Sequence, residues 1–190
     1  MRIIAGTFRS RQLKSLKGLA LRPTSDMLRE TLFNILGPRV EGSRFLDLFA
    51  GTGAVRIEAI SRGAVSAVFV ENHAAAVRLI RENLASLEIK SAARIVASAA
   101  APALTKLQSE RAAAFDFIFL DPPYANKEEY EATLRYLENS SLIAEYTIVI
   151  AEHHKSFELP ASLSQFERVR TLRQGDAALT FYRRSPEKSH

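Results

Sequence analysis

Through the middle of the chain, short apolar runs alternate with longer amphipathic stretches, and this alternation constrains the fold more than any other feature. The apolar runs are 45–49, 67–71, Ala93–Ala97, 115–121 and 147–152. Between them lie segments with helical spacing, at about 53–62, 74–87, 101–111 and 127–139. Strand followed by helix, repeated with short connections, builds a parallel, doubly wound sheet with right-handed crossovers. The rhythm breaks near the end. Residues 166–173 and Ala177–Arg184 are separated only by Gln174-Gly175-Asp176, which leaves no room for a helix. Gly175 stands where a hairpin turn needs positive φ, so the sheet is expected to close with an antiparallel hairpin. Ahead of the sheet, Thr24 or Ser25 can cap a helix in which Met27, Leu28, Leu32, Phe33 and Leu36 recur, and Gly37-Pro38 ends it. The expected class is α/β, a Rossmann-like sheet of seven strands, mostly parallel.

Composition narrows the setting. The 190 residues are 47% hydrophobic, enough for one sizeable core. There is no cysteine, which excludes disulfides and thiolate metal sites and suits a reducing cytoplasm. No run reaches the roughly 18 apolar residues of a membrane span, and Met1–Gly6 is too short an apolar stretch for a signal peptide. The net charge of +5 is unevenly spread. Residues 1–22 carry Arg2, Arg9, Arg11, Lys14, Lys17 and Arg22 and no acid. This segment reads as a small basic β-hairpin, with Gly6 at a turn, and as a surface for the phosphates of a nucleic acid. Residues 185–190 read as a tail.

Two motifs carry chemistry. In the first, Asp47-Leu48-Phe49-Ala50-Gly51-Thr52-Gly53 runs from a strand through a glycine turn into a helix. Ligands of open α/β sheets bind at the carboxyl ends of strands, and Gly51 and Gly53 permit close approach to the backbone. The third glycine of a dinucleotide fingerprint is missing. Asp47 would repel a pyrophosphate but suits a cationic amino-acid group. Glu71, at the end of the second strand, can take both hydroxyls of a ribose. Ribose plus a cationic amino acid, without phosphates, describes S-adenosylmethionine. Phe49, Ala50 and Thr52 complete the expected contact surface.

In the second motif, the strand 115–121 ends in Asp121-Pro122-Pro123-Tyr124. An exocyclic amine on a base is a poor nucleophile because its lone pair is delocalised into the ring. The Asp121 carboxylate and the Pro122 carbonyl can accept its two N–H bonds. The prolines stiffen the loop, and Tyr124 can stack on the base. The expected reaction is methyl transfer to a delocalised nitrogen, with S-adenosylhomocysteine as the other product.

These motifs, together with Met1-Arg2-Ile3-Ile4-Ala5-Gly6, Leu21-Arg22-Pro23-Thr24-Ser25-Asp26, Arg29-Glu30-Thr31-Leu32-Phe33-Asn34 and Leu179-Thr180-Phe181-Tyr182, resemble the bacterial small-subunit ribosomal RNA guanine-N2 methyltransferases of the RsmD type. The resemblance runs from residue 1 to about 184. It implies a methyltransferase domain over 23–184 and transfer to N2 of one guanine of 16S RNA. The substrate it implies is the small subunit or its assembly intermediate; separately, a cytoplasmic location is expected and a monomer is adequate. It also implies that Arg22, Thr24 and Asp26 lie beside the cofactor and that the basic hairpin approaches the RNA. Families of this class often carry an acid after the third strand to hold the adenine. Here the stretch is Ala97-Ser98-Ala99-Ala100, and that contact is unassigned.

Alternatives of related chemistry are methylation of adenine N6 in nucleic acid or of a protein glutamine amide; a different class is a non-catalytic RNA-binding module. His153 and His154 are adjacent on a strand and point to opposite faces, so no metal is expected. Arg168, Arg170 and Arg173 read as charges blunting an edge strand rather than as RNA contacts.

Overall fold

A computed structural model describes residues 1–15, 25–122 and 127–185. The chain forms two compact units, Met1–Ala103 and Leu104–His190.

The first unit contains α1 (Asp26–Leu36), β1 (Arg44–Asp47), α2 (Ala54–Ser61), β2 (Ser66–Glu71), α3 (Ala74–Ser86), β3 (Ala93–Ala97) and the start of α4 (Ala100–Ser109). Ser25 caps α1, its Oγ accepting the Leu28 N–H at 3.1 Å. Leu28, Leu32, Phe33 and Leu36 are buried as their spacing requires, whereas Met27 is 65% exposed. The α-helix ends at Leu36, but the chain makes one further 3-10 turn, Gly37–Val40, which buries Val40. β1 pairs in parallel with β2, and β2 with β3. β2 is buried on both faces from Ala67 onward, which explains its nearly continuous apolar sequence.

The N-terminal segment packs on this unit chiefly through its backbone. Arg2 and Gln12 form an antiparallel bridge, and Ile3 and Leu13 enter a core with Ile57, Phe69, Ile80 and Leu84. The carboxylate of Glu58 on α2 accepts the N–H groups of Ile4 (2.8 Å) and Ala5 (3.0 Å). The Ser61 carbonyl accepts Thr7 N–H at 2.7 Å, and its Oγ accepts Phe8 N–H at 3.0 Å. Gly6 has φ +83°, and a Cβ there would lie 1.7 Å from the Ser61 carbonyl oxygen, so no other residue fits.

The second unit contains the rest of α4, β4 (Phe115–Leu120), α5 (Lys127–Glu138), β5 (Ile143–His154), β6 (Phe166–Gln174) and β7 (Ala177–Arg184). β4 and β5 are parallel, while β7 runs antiparallel to both β5 and β6. Gly175 turns the hairpin with φ +62°. β5 begins earlier than its apolar run suggests. Its register against β4 jumps from Phe115↔Ile143 to Phe117↔Ile148, looping out Glu145 and the 81% exposed Tyr146. Thr147 closes this irregularity: its hydroxyl donates to the Phe115 carbonyl (2.6 Å) and accepts Ala144 N–H (2.8 Å). No helix among the described residues is long and apolar enough to cross a membrane.

Candidate cofactor and catalytic site

In the first unit the glycine turn stands between the ends of β1 and β2. Gly51 and Gly53 both adopt positive φ, +52° and +79°. Their surroundings differ. A Cβ on Gly51 would meet nothing within 4 Å, whereas one on Gly53 would lie 3.2 Å from both Phe69 and Ile80. Gly51 therefore presents open backbone, and Gly53 lets α2 pack on the sheet. The turn is tied down by Gly53 N–H to the Ala50 carbonyl (2.7 Å) and Ala50 N–H to the Val70 carbonyl (2.9 Å).

Glu71 is the turn's second tether. One carboxylate oxygen accepts Gly51 N–H at 2.7 Å, and the other accepts His73 N–H at 2.8 Å. The carboxylate so predicted at the end of β2 sits against the glycine turn itself. Asp47 accepts Phe49 N–H at 2.9 Å and forms a buried ion pair with Arg56, whose guanidinium lies 4.6 Å from the Phe45 ring centroid. Burial pushes the Asp47 carboxyl above the usual carboxylate range, opposed by Arg56 and by the Phe49 N–H. Asp47 thus has a cationic partner within the protein, which its sequence context did not reveal. Thr52 is buried; its hydroxyl lies 3.9 Å from Met1 Sδ and its carbonyl accepts the Asn83 amide at 3.4 Å. Phe49 is half-buried and Ala50 buried.

Asp26, in the first turn of α1, pairs with Arg29 at 3.0 Å. Arg29 is fully buried and also donates to the Arg2 carbonyl at 2.5 Å, with its Nε 3.7 Å from Glu58. Arg62 completes the group, 2.8 Å from Glu58. This Arg29–Glu58–Arg62 cluster was not expected, because charged residues on amphipathic helices ordinarily read as solvated faces.

The expected RNA-contacting cations fall into three groups. Arg2 and Arg9 are exposed. Arg11 donates to the Ser86 carbonyl at 3.1 Å, and Lys14 pairs with Glu82 at 2.9 Å, so both also touch α3. Lys17 lies outside the described residues, as do Arg22, Thr24 and Tyr124.

In the second unit Asp121 follows directly on β4, half-buried, and Pro122 is buried. Tyr130 of α5 supports this loop. Its hydroxyl is 2.6 Å from the Glu152 carbonyl and 3.4 Å from that of Pro122. The single hydroxyl proton serves the nearer oxygen, which leaves acceptor capacity on the Pro122 carbonyl. Tyr130 packs edge-on against His153, ring centroids 6.4 Å apart. The sequence marks Tyr130 only as one apolar position of a helix face; nothing in its spacing points to its hydroxyl. His153 and His154 make separate contacts, His153 with Thr180 Oγ1 at 2.8 Å and His154 with Ser156 Oγ at 2.6 Å. Among the described residues no group of three or more acids or histidines is placed to hold a metal.

The fold has solved counterparts. A protein from Escherichia coli provisionally named a methyltransferase matches with TM-score 0.80 and 34% identity, covering 97% of each chain. A hypothetical protein from Thermus thermophilus matches with TM-score 0.80 and 33% identity, over 95% of this chain and 98% of that one. The architecture is the Rossmann-like α/β methyltransferase fold, seven strands with an antiparallel C-terminal pair. A family model described as conserved hypothetical protein 95 matches residues 1–183. The Escherichia coli protein named ribosomal RNA small subunit methyltransferase D is 33% identical over 98% of this chain and 91% of its own. The chain belongs to this family, as the resemblance of its motifs implied.

Proposed function

We propose that this protein transfers a methyl group from S-adenosylmethionine to the exocyclic N2 of a guanine in 16S RNA, acting on the small ribosomal subunit or its assembly intermediate in the cytoplasm. The observation that carries the reading is the end-to-end similarity to a small-subunit ribosomal RNA methyltransferase. The open backbone at Gly51, beside the Glu71 carboxylate, fits a nucleoside held by its ribose. On this reading Asp47, Phe49, Ala50, Gly51, Thr52, Gly53 and Glu71 form the cofactor surface, with Arg22, Thr24 and Asp26 beside it. Asp47 acts there through the turn it braces, since Arg56 already balances its charge. Bound S-adenosylmethionine supplies a methyl group already activated on a sulfonium, so the protein's contribution is positioning and electrostatics.

Asp121 and the Pro122 carbonyl accept the two N–H bonds of the guanine amine, which favours a pyramidal nitrogen with an available lone pair. Tyr130 lies beside this loop, its hydroxyl bonded to the Glu152 carbonyl and 3.4 Å from that of Pro122. Tyr124 stacks on the base, and Arg2, Arg9, Arg11, Lys14 and Lys17 approach the RNA phosphates. The enzyme works as a monomer and uses no metal.

The test is transfer of labelled methyl groups to 16S RNA transcribed in vitro, to small subunits reconstituted from it, to transfer RNA, DNA and protein. Label at guanine N2 of 16S RNA is the expected result. Label confined to DNA or protein refutes the proposal. Asp121→Ala should abolish transfer with S-adenosylhomocysteine affinity kept; near-normal turnover would remove Asp121 from the role given to it.

A further inference from the structure

A walled hollow is built on the C-terminal hairpin. Register explains its form. The pairing of β6 with β7 slips between Arg168 and Arg170, so Val169 is the extra residue of a bulge. Beyond the slip the faces exchange. Cross-strand partners share a face, so three rows run across β5, β7 and β6: Val149–Tyr182–Arg168, Ala151–Thr180–Thr171 and His153–Ala178–Arg173. Without the bulge, Arg168 would share its face with Arg170, and Thr171 and Arg173 would turn away.

The hollow lies over these rows, with His153, Thr180 and Thr171 at its floor. Its volume is about 320 Å³. Residues 157–159 wall it, and that wall is fixed: Arg168 donates to the Leu159 carbonyl at 3.1 Å and Tyr182 to the Pro160 carbonyl at 2.8 Å. The floor is a hydrogen-bonded line, His153 Nε2 to Thr180 Oγ1 (2.8 Å) and Thr180 Oγ1 to Thr171 Oγ1 (3.1 Å). Arg168, Arg173 and, from the other side of the pleat, Arg170 border the hollow, and all three are exposed. Glu158 is the one acid at its margin; Lys155 and Asp176 nearby pair with each other at 2.8 Å.

We infer that this cleft binds the phosphodiester backbone of RNA. The inference rests on the proposed RNA substrate. Edge protection explains arginines on β6. It does not explain a bulge that brings two of them and a threonine hydroxyl to one concave, walled surface. Guanidinium groups present several N–H donors in a planar fork matched to phosphate oxygens, so Arg168 can keep its wall contact and still donate outward.

The experiment compares wild type, R170Q/R173Q and R170K/R173K in binding unmodified 16S RNA between 50 and 300 mM salt. These two arginines make no wall contact of the kind Arg168 makes, and glutamine keeps the edge polar. The inference expects about tenfold weaker RNA binding for R170Q/R173Q and a salt slope shallower by about 1.4, two phosphate contacts fewer at about 0.7 each on single-stranded RNA. S-adenosylhomocysteine affinity and melting temperature should stay unchanged, and R170K/R173K should retain most of the affinity and the full slope. Independently, RNA should protect Arg170 and Arg173 of the wild-type protein from phenylglyoxal. Wild-type methylation of RNA with unchanged binding, slope and reactivity overturns the cleft alone. A wild-type protein that neither binds nor methylates RNA overturns the cleft together with the functional reading.

Discussion

The two glycines of the turn both have positive φ but unlike neighbours, so replacing each by alanine separates fold from binding. Gly51→Ala places a Cβ in open space at φ +52°. Its stability cost is the left-handed strain alone, about 1–2 kcal/mol. Gly53→Ala adds contacts at 3.2 Å with Phe69 and Ile80, both in the packed core of the first unit. Overpacking of that kind costs about 1–3 kcal/mol beyond the strain, so the total is about 3 kcal/mol. For a protein of this size that corresponds to a melting temperature lower by about 6–12 °C. Binding should rank the other way per unit of stability lost. The new Cβ at Gly51 projects where a ligand would approach the backbone, and S-adenosylhomocysteine affinity should fall at least tenfold, about 1.4 kcal/mol. Urea denaturation gives the first quantity and calorimetric titration the second. Equal stability of the two variants would refute the packing account of Gly53. Wild-type affinity in Gly51→Ala would refute the assignment of the open backbone to the cofactor.

Two further outcomes follow from buried groups. Glu58→Ala removes the carboxylate between Arg29 and Arg62 and the anchor of two N-terminal amides. It leaves a fully buried guanidinium short of a partner, so a loss of about 3–5 kcal/mol is expected in denaturant melts, and a loss under 1 kcal/mol would contradict it. His153 is held below the usual histidine range by burial, and secondarily by Arg173 and Arg168, opposed by its bond to the His154 carbonyl. The unfolded chain therefore binds this proton first, and stability contributed by neutral His153 should fade as pH drops below about 6.5. Melting temperature should fall more steeply from pH 7.5 to 5.5 in wild type than in His153→Asn; parallel curves would mean that His153 titrates normally.

The order of elements was legible because it rests on local pattern. β2 and β4 are nearly all apolar since both faces are covered, and Gly175 marks its own turn. The start of β5 was not legible, because Glu145 and Tyr146 look like loop until Thr147 is seen bridging the irregularity. At the site, the residue types of Asp47, Glu71 and Asp121 announced chemistry, but their partners did not show. Arg56 sits nine positions from Asp47, and Tyr130, whose hydroxyl reaches the Glu152 carbonyl beside Pro122, sits eight from Pro122, each looking like an ordinary helix residue. The bulge at Val169 leaves no mark in sequence. Reading β6 with unbroken alternation puts Arg168 and Arg170 together and hides the grouping of Arg168, Thr171 and Arg173.

The N-terminal segment shows how a basic surface can be held without using up its charges. Ile4, Ala5, Thr7 and Phe8 donate backbone N–H groups to Glu58 and Ser61, and Ile3 and Leu13 supply the apolar anchors. None of these contacts involves a cationic side chain. Arg2 and Arg9 consequently remain exposed while the backbone is fixed. The side chains of Arg11 and Lys14 reach α3 through exposed contacts to Ser86 and Glu82, while the Lys14 backbone is held separately by the Asn83 amide. An exposed ion pair such as Lys14–Glu82 is worth little in water, so exchanging Glu82 for a phosphate costs little. Placing the anchoring load on Glu58, Ser61 and Gly6 separates two demands that would otherwise compete: a rigid frame beside the glycine turn, and cations available to a polyanion. Removing the cations should therefore alter binding and spare the fold, whereas altering Gly6 or Glu58 should do the reverse first.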